Sequence, residues 1–411
     1  MEAPIPGKSA IGFEIPNAKP KNVRLRELIE CEEFSAASSN TFVAIGKDVA
    51  GNPVFGDISK YPHALICGAT GMGKSVCINS ILISMLYKCR PDDVRLIMID
   101  PKKVEFKMYS GIPHLLIPVI TEAKQAAGAL MWAVEEMERR YDLIEAHNVR
   151  NLEAYNEKVT FDPAIGEPLP KIVIVIDELA DLMMQVRDPA EDLIMRIAQK
   201  ARAAGIHLLI GTQRPSVQII TGAIKANIPS RISCKVTSQV DSRTIFDMKG
   251  AEDLLNRGDM LYWPVDRSAA LRVQGAFVSD HEVEQIMAFL KSQVTEGAYD
   301  DEVFEEINKA AQKCGNKKSG GANADDIEDD GEECGYYNDQ QFLDAVELAI
   351  RSGKVSTSLL QRKLSIGYGK AAKYIDAMQD IGIVSEPRGQ KPRDVLLTMD
   401  EWHEKLTRVD F

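Results

Sequence analysis

A glycine-rich segment followed by a lysine and a serine is the part of the sequence best suited to bind a nucleotide. Residues 68–75 read GATGMGKS and match the pattern GxxxxGK[ST]. The segment lies between an apolar run at 63–67 and a stretch of helical length at 76–88, which is the context that the pattern requires. Backbone N–H groups turned inward by the glycines, and the amino end of the following helix, attract phosphates. The predicted nucleotide-binding residues are Gly68, Ala69, Thr70, Gly71, Met72, Gly73, Lys74 and Ser75.

Two adjacent carboxylates complete a candidate centre for ATP hydrolysis. IVIVIDE at 172–178 places Asp177 and Glu178 where a buried strand ends, and neighbouring strands would bring them beside the glycine-rich segment. Lys74 would reach the β- and γ-phosphates, and the Ser75 hydroxyl and Asp177 would hold Mg²⁺. Glu178 would orient or deprotonate the attacking water. The alternatives are a chance glycine-rich turn and a solvated acidic loop, but the two motifs together favour catalysis.

The next predicted strand also ends in polar side chains. Thr212, Gln213 and Arg214 follow IHLLIG and should emerge at the same sheet edge as the carboxylates. We expect Gln213 to sense the γ-phosphate or its water, and the alternative is an amide that only satisfies the strand end. Asp100 ends another apolar strand, where a catalytic role and a simple turn are equally open.

Composition and charge exclude some classes of protein. The chain has 45% apolar and 27% charged residues, as ordinary globular proteins do. No run approaches the roughly 20 apolar residues of a membrane helix, and no secretory signal begins the chain. The seven cysteines include no CxxC pair, so we expect neither a disulfide framework nor a zinc site, and a cytoplasmic location. The net charge of −12 says little about partners because charge is unevenly distributed.

The order of the predicted elements indicates an α/β protein with several parts. Short apolar strands alternate with helices, which favours a parallel sheet flanked by helices. A long helix is predicted over 123–146, with Glu135, Glu136, Glu138, Arg139 and Arg140 largely on its solvated side. Residues 294–335 carry 13 acidic against 4 basic side chains, which predicts an acidic flexible linker. The predicted parts are an amino-terminal segment at 1–40, the sheet with its flanking helices at 41–293, the linker at 294–335 and a small independent domain at 336–411.

The motifs together resemble the FtsK/SpoIIIE family of DNA translocases from the first residues to about Leu397. This resemblance implies a RecA-like P-loop ATPase that binds ATP and Mg²⁺, assembles as a homo-oligomeric, hexameric ring around double-stranded DNA, and ends in a winged-helix (γ) domain. The segments that carry it are APIPGKSAIGFEIPN (3–17), GKDVAGNPV (46–54), 62–76, IDPKKVEF (99–106), VIDELADLM (175–183), 199–232, QVDSRTIFD (239–247), GDMLY (258–262) and 357–376.

The chain departs from this family in two respects. Family members usually begin with membrane-spanning segments and a fuller first lobe, so that full-length relatives are anchored in the cell membrane. The chain starts within what resembles that lobe, which suggests a truncated form or a soluble relative without a membrane segment. The second departure is Gly369-Lys370-Ala371-Ala372-Lys373, where the family often has Asn-Arg-Ala-Ala-Arg, and we expect the preferred DNA sequence to differ accordingly.

Basic residues supply the candidate DNA contacts. Residues 202–249 hold seven Lys or Arg against two Asp, and Arg214 is the best candidate for the lumen of a ring. By similarity, Arg202 would reach the γ-phosphate bound by a neighbouring subunit, with Arg231 and Arg243 as rivals. The alternative for each is a solvated basic face. In the carboxy-terminal part, the predicted DNA-binding residues are Arg362, Lys363, Lys370, Lys373 and Arg393.

Three functions remain to be distinguished. The first is an ATP-hydrolysing double-stranded DNA translocase in chromosome segregation, cell division or sporulation, with recombinase or division proteins as candidate partners. The second is a coupling ATPase of conjugation or secretion, against which the γ-like part speaks. The third is a DNA-binding regulator that binds ATP without hydrolysing it, against which Glu178 beside Asp177 speaks.

Overall fold

The structure is a computed structural model that divides into two units, residues 1–317 and 318–411. No helix of the described residues is long and apolar enough to cross a bilayer. The residues that it describes are Ile15, Asn17, 21–293, 299–316, 340–364, 371, 374–375, 377–379, 381–385, 393–399 and 401–402.

The first unit alternates strands and helices as the sequence predicts. Its strands are β1 (Val23–Arg24), β2 (Phe42–Asp48), β3 (Pro53–Asp57), β4 (His63–Cys67), β5 (Val94–Ile99), β6 (Lys171–Ile176), β7 (Ile206–Thr212), β8 (Ser230–Cys234), β9 (Asp259–Trp263) and β10 (Leu271–Phe277). Its helices are α1 (Leu25–Ile29), α2 (Glu32–Ala36), α3 (Lys74–Leu86), α4 (Ala123–Ala146), α5 (Leu152–Phe161), α6 (Leu179–Lys200), α7 (Gly222–Asn227), α8 (Gln239–Phe246), α9 (Asp280–Lys291) and α10 (Asp301–Asn316).

The strands form one sheet whose central part is parallel. The order is β3-β2-β10-β9-β8-β4-β7-β6-β5, and β1 pairs with β10. Strands β8, β4, β7, β6 and β5 run parallel, while β9, β10, β2 and β3 are joined by antiparallel pairings. The crossover helices α3, α4 and α6 connect the parallel strands, as such connections require. This arrangement confirms the predicted α/β class with a parallel sheet flanked by helices.

Alternation along the central strands fills a core on each face of the sheet. Ile172, Ile174 and Ile176 of β6 join the core under α4 and α6, whereas Val173 and Val175 join the core under α3. Successive strand residues point to opposite faces, so a strand that is apolar throughout must be covered on both sides. The result is a three-layer sandwich in which the carboxyl ends of the parallel strands meet at one edge.

The prediction of a flexible linker at 294–335 is wrong for the first half of that segment. Residues Asp301–Asn316 form α10, which packs along α4. Ile307 is fully buried in this contact, and Trp132 Nε1 donates a hydrogen bond to Glu306 Oε2 at 2.9 Å. The helix is amphipathic because its apolar residues recur at helical spacing, and the acidic average over 294–335 concealed that pattern.

The prediction of a solvated charged face on α4 is also wrong at one residue. Arg140 is buried, and its guanidinium donates to Glu136 Oε1 at 2.6 Å and to the Ala204 carbonyl oxygen at 2.9 Å. Both donors therefore have partners, which is the condition under which a buried charge is tolerated. Helical periodicity alone does not reveal such a pair.

The second unit has its own apolar core. Its described elements are α11 (Gln340–Ser352), β11 (Lys354–Val355), α12 (Thr357–Leu364) and β12 (Arg393–Asp394). Strands β11 and β12 pair antiparallel. The core includes Phe342, Val346, Tyr374, Met378 and Trp402. Helices α11 and α12 and the pair of strands are thus the described parts of the domain that the sequence predicts at 336–411.

Candidate active site

The parallel strands bring three sequence-predicted residues and the glycine-rich loop to one edge of the sheet. Ile176 of β6 pairs with Ile210 of β7, and Cys67 of β4 pairs with Thr212 of β7. Asp177 and Glu178 follow β6, Gln213 follows β7, and the glycine-rich loop at 68–73 follows β4. Ligands of open α/β sheets bind at the carboxyl ends of the strands. The structure therefore brings the predicted catalytic groups of β6 and β7 beside the predicted nucleotide loop.

The glycine-rich loop depends on glycine at particular positions. Gly71 and Gly73 have φ values of +77° and +115°, in the left-handed region that side chains rarely adopt. A Cβ on Gly68 would lie 2.9 Å from the Cβ of Cys234, and one on Gly73 would lie 3.1 Å from Gly258 Cα. The loop is thus both turned and closely packed. Helix α3 begins immediately afterwards, at Lys74, so its amino end faces the loop.

Lys74 forms a buried ion pair with Asp177. Lys74 Nζ donates to Asp177 Oδ1 at 2.7 Å and to the Asp177 carbonyl oxygen at 2.6 Å, and both side chains are almost wholly buried. Burial raises the pKa of Asp177; the Lys74 ammonium opposes the rise, and the negative charges of Asp100 and Glu178 add to it. A nucleotide and its cation would therefore bind beside this ion pair.

The residues at this edge fit a magnesium ion. Asp177 Oδ2 is buried and has no hydrogen-bond partner among the described residues. Ser75 Oγ lies in the first turn of α3 and donates to Glu105 Oε1 at 2.8 Å. Carboxylate and hydroxyl oxygens are the protein ligands that Mg²⁺ accepts beside substrate phosphates. The unpaired oxygen of Asp177 is therefore the point in this centre where a cation would be held.

Glu178 is buried and held by several donors. Its Oε1 accepts from Thr212 Oγ1 at 2.7 Å, and Oε2 accepts from the Gln213 N–H at 3.0 Å. It also caps α6 by accepting from the Ala180 N–H at 3.3 Å. Lys102 Nζ lies 3.3 Å from Oε2. A carboxylate so held has one fixed orientation at the carboxyl edge.

Gln213 contacts the glycine-rich loop directly. Its side-chain oxygen accepts a hydrogen bond from Thr70 Oγ1 at 2.9 Å, which joins the end of β7 to the loop after β4. Asp100, by contrast, accepts from the Lys102 and Phe106 N–H groups at 3.1 and 3.0 Å. The structure thus gives Asp100 a turn-forming role, one of the two roles that the sequence left open.

Comparison with known proteins identifies the chain's relatives. The FtsK/SpoIIIE family model matches residues 24–217, and the FtsK gamma domain model matches residues 337–398. The chain is 53% identical to a DNA translocase FtsK of Clostridium tetani, over 98% of this chain and 51% of that protein. The chain belongs to the FtsK/SpoIIIE family. The family resemblance inferred from the motifs is therefore confirmed, and with it a RecA-like motor and a winged-helix domain.

Other members of the family and a solved structure agree with this assignment. The chain is 46% identical to the DNA translocase SpoIIIE of Bacillus subtilis, over 98% of this chain and 49% of that protein. It thus spans about half the length of the curated relatives that it matches. The solved pCW3 conjugation coupling protein TcpA, a monomer with ATPγS, is 29% identical with a TM-score of 0.56, covering 66% of this chain and 75% of that chain.

Arg202 lies away from the edge of the sheet that holds the candidate site. It is exposed and falls between the end of α6 and the start of β7, hence at the amino ends of the strands. Seven-residue β7 separates this edge from Gln213, which at about 3.3 Å per residue is roughly 20 Å. The structure therefore does not bring Arg202 together with Lys74, Asp177 and Glu178 of the same chain.

The two rival arginines differ in their surroundings. Arg231 Nη1 donates to the Ile245 carbonyl oxygen at 2.8 Å, and Nη2 donates to the Lys225 carbonyl oxygen at 2.9 Å. Its guanidinium also lies 3.3 Å from Asp247. Arg243 is exposed on α8. The guanidinium of Arg231 thus makes its contacts within the same chain, whereas the side chain of Arg243 is exposed at the surface.

The residues predicted to contact DNA differ in their exposure and in their partners. Arg214 is exposed, and its Nη1 lies 3.7 Å from Met184 Sδ. In the second unit Lys363 is exposed, while Arg393 Nη1 donates to Gln379 Oε1 at 2.6 Å. Arg362 lies on α12, and its side chain is outside the described part of the chain. Lys370 and Lys373 also lie outside the described residues.

Sequence reasoning missed Lys102 and Glu105, and it placed Thr212 at the correct edge of the sheet without identifying its contact with Glu178. Thr212 and Lys102 contact Glu178, and Glu105 contacts Ser75. Thr212 was read only as part of a strand end, and Lys102 and Glu105 belong to the loop after β5. The signal that could have found them is their position just after parallel strands, at the edge where ligands bind.

Proposed function

We propose that this chain is an ATP-hydrolysing motor that moves along double-stranded DNA. The observation that carries the proposal is the convergence of Lys74, Asp177 and Glu178 at the edge that holds the glycine-rich loop. The names of its relatives, DNA translocase FtsK and DNA translocase SpoIIIE, support duplex DNA as the substrate. The cellular setting would be chromosome segregation, cell division or sporulation.

Each site residue has a task in the proposed hydrolysis. The loop N–H groups of 68–73 and Lys74 bind the β- and γ-phosphates. Ser75 and Asp177 would hold Mg²⁺, which would supply positive charge to the phosphate oxygens. Glu178 orients and deprotonates the attacking water, and Gln213 senses the γ-phosphate from the end of β7.

The proposal includes assembly into a ring, because the arginine proposed to reach the γ-phosphate lies far from the glycine-rich loop of its own chain. Arg202 lies on the opposite edge of the sheet from its own loop. A head-to-tail ring places one surface of a subunit against a different surface of the next. Arg202 would then reach the γ-phosphate of a neighbour, where an arginine stabilises the transition state. Duplex DNA would pass through the lumen and contact Arg214, with six subunits as the proposed number.

A coupling ATPase of conjugation is the second candidate. The TcpA structure favours it, since that coupling protein shares 29% identity and the fold with this chain. The match to the gamma domain at 337–398 favours the DNA translocase instead, because it supplies a second DNA-binding unit. Identity of 53% to an FtsK translocase points the same way.

The test is ATP hydrolysis by the full chain with and without long duplex DNA. We expect strong stimulation by duplex DNA, and movement that strips a third strand from a triplex at one end. Lys74→Ala should reduce hydrolysis by roughly 100-fold or more, because a methyl group cannot replace a charge directed at the phosphates.

The matched control is Lys60→Ala, which removes an exposed lysine remote from the loop. This variant should hydrolyse ATP at the wild-type rate. Duplex binding without any hydrolysis would instead indicate a DNA-binding regulator. Hydrolysis without triplex displacement would favour a coupling ATPase.

A further inference from the structure

We propose that Thr212 and Lys102 are positioning residues that hold the Glu178 carboxylate from two neighbouring strands, and we call these two residues the Glu178 clamp. The inference rests on the proposed function, in which Glu178 acts on the attacking water. Thr212 and Lys102 lie outside the glycine-rich loop and the Asp177–Glu178 pair, and their proposed role is to fix the orientation of the Glu178 carboxylate.

Thr212 supplies the shorter of the two contacts. Its Oγ1 lies 2.7 Å from Glu178 Oε1, and both side chains are buried. The same hydroxyl accepts a hydrogen bond from the Arg214 N–H at 3.1 Å. Because a hydroxyl has one proton, acceptance from Arg214 leaves that proton to donate to Glu178. The direction of the threonine-to-glutamate hydrogen bond is thereby fixed.

Lys102 approaches the carboxylate from the other side. Its Nζ lies 3.3 Å from Glu178 Oε2 and 3.7 Å from Asp181 Oδ2. The lysine follows β5, and its backbone N–H is anchored by Asp100 Oδ1 at 3.1 Å. Asp100 therefore has an indirect task, since the turn that it forms delivers Lys102 to Glu178. The opposite charge of Lys102 beside the buried carboxylate attracts it and opposes its rotation.

The clamp also joins the carboxylate to the predicted DNA contact. Thr212, Gln213 and Arg214 are consecutive, and their side chains contact Glu178, Thr70 of the glycine-rich loop, and Met184 at the surface. The Gln213 N–H also donates to Glu178 at 3.0 Å. A displacement of Arg214 would pull on the N–H that the Thr212 hydroxyl accepts. The Thr212 hydroxyl and the Gln213 N–H thus connect the orientation of Glu178 to the segment that carries the predicted DNA contact.

A positioning role makes a specific kinetic prediction. Misplacing a catalytic group by about 1 Å costs on the order of 100-fold in rate, while ground-state binding of the nucleotide is unaffected. Thr212→Val keeps the shape of the side chain and removes the hydroxyl. We expect kcat for DNA-stimulated hydrolysis to fall by about 10- to 100-fold, with KM for ATP and Kd for ATPγS unchanged. Thr212→Ser should restore most of the lost rate.

The matched control for Thr212 is Thr244→Val. Thr244 is also buried, and its hydroxyl donates to the Val240 carbonyl oxygen within α8. This variant loses a buried hydroxyl without touching Glu178, so its kcat should stay at the wild-type value. Equal losses of rate in both valine variants would mean that buried hydroxyl groups support stability only, and would overturn the clamp.

The Lys102 half is tested by Lys102→Met beside Lys103→Met. The methionine keeps the length of the side chain and removes the charge. Lys103 is exposed and adjacent, and its side chain does not contact Glu178. We expect kcat to fall for Lys102→Met alone, with partial rescue by Lys102→Arg and unchanged Kd for ATPγS. Equal rates for both methionine variants would overturn this half.

Glu178→Gln, measured in parallel, separates the two levels of inference. If it is inactive while both clamp variants turn over normally, the catalytic assignment stands and the clamp is wrong. If it hydrolyses ATP at the wild-type rate, the assignment of Glu178 itself is wrong. Combining Thr212→Val with Lys102→Met should lower kcat further than either change does, and without further effect on Kd.

Discussion

At the residue scale, two buried histidines make the free energy of unfolding depend on pH. His63 and His207 lie at the starts of β4 and β7, with ring centroids 6.4 Å apart. His63 Nδ1 accepts from the Leu208 N–H, and His207 Nδ1–H donates to the Pro62 carbonyl oxygen. Burial lowers the pKa of each to about 3. Both rings are therefore neutral in the folded chain at physiological pH.

We predict that these histidines destabilise the fold in acid. Below about pH 6.5 the unfolded chain binds protons at both rings, and the folded chain does not until about pH 3. Stability is thus fully present above pH 6.5 and falls as the pH decreases toward 3. Each ring contributes a slope of about 1.4 kcal/mol per pH unit. Urea unfolding at about pH 7.5, 6 and 5 measures how the free energy of unfolding depends on pH.

The double variant His63→Gln with His207→Gln should show a weaker dependence of unfolding free energy on pH than the wild type. His281→Gln is the control, because His281 is exposed on α9. Carboxylates titrate in all three proteins, so the difference between their slopes is the measured quantity. Parallel slopes in all three would contradict the assignment.

Prediction from sequence succeeded for residues whose motifs carry their own context. Lys74, Asp177 and Glu178 stand at fixed positions after apolar strands, so their convergence follows from a parallel sheet. The contacts that Thr212 and Lys102 make with Glu178 escaped notice because they join strands that are far apart in the chain. Arg140 was misjudged for a similar reason, since its buried partner, Ala204, belongs to another element.

At the scale of elements, α4 and α10 are held together by close backbone contact. A Cβ on Gly128 of α4 would lie 2.5 Å from the Ile307 carbonyl oxygen and 2.8 Å from the Ala311 nitrogen. Gln125 Nε2 also donates to Asn308 Oδ1 at 2.8 Å. Glycine at this position lets the two helices approach, although glycine within a helix ordinarily lowers stability.

We predict that Gly128→Ala destabilises the protein by roughly 1–3 kcal/mol, because the added methyl group meets backbone atoms that cannot rotate away. Within an exposed stretch of helix the same change would stabilise by up to about 1 kcal/mol. The sign is therefore diagnostic, and chemical denaturation measures it. Lys124→Ala on the exposed side of α4 is the control. A more stable Gly128→Ala protein would mean that α10 does not pack here.

The central strands were easier to predict from the sequence than helix α10 was. IVIVI and HALIC are apolar throughout and flanked by breakers, so β6 and β4 were evident. Helix α10 was obscured because its apolar stripe is diluted by acidic residues on the other face. A composition average over many residues discards the periodicity that identifies such a helix.

At the scale of the whole molecule, the role proposed for Arg202 requires more than one subunit. We predict that Arg202→Ala and Lys74→Ala proteins are each inactive, and that mixing them restores part of the ATPase activity. Some interfaces in a mixed ring would pair an intact loop with an intact arginine. Hydrolysis by the mixture, with assembly checked by light scattering, is the measurement.

The control mixture combines Arg202→Ala with wild-type protein, and a second mixture tests Arg243→Ala with Lys74→Ala. Recovery in the second mixture alone would transfer the in-trans role to Arg243. Assembled rings that stay inactive in every mixture of inactive variants would contradict an arginine supplied across the interface.

The three consecutive residues at the end of β7 also constrain how the chain can vary in length. Two hydrogen bonds depend on the number of residues here: the one between the Thr212 hydroxyl and the Arg214 N–H, and the one between Gln213 and Thr70. An insertion between Thr212 and Arg214 would separate these partners, whereas a substitution of similar shape would leave the spacing intact. A foreign loop grafted onto this chain should therefore begin after Arg214.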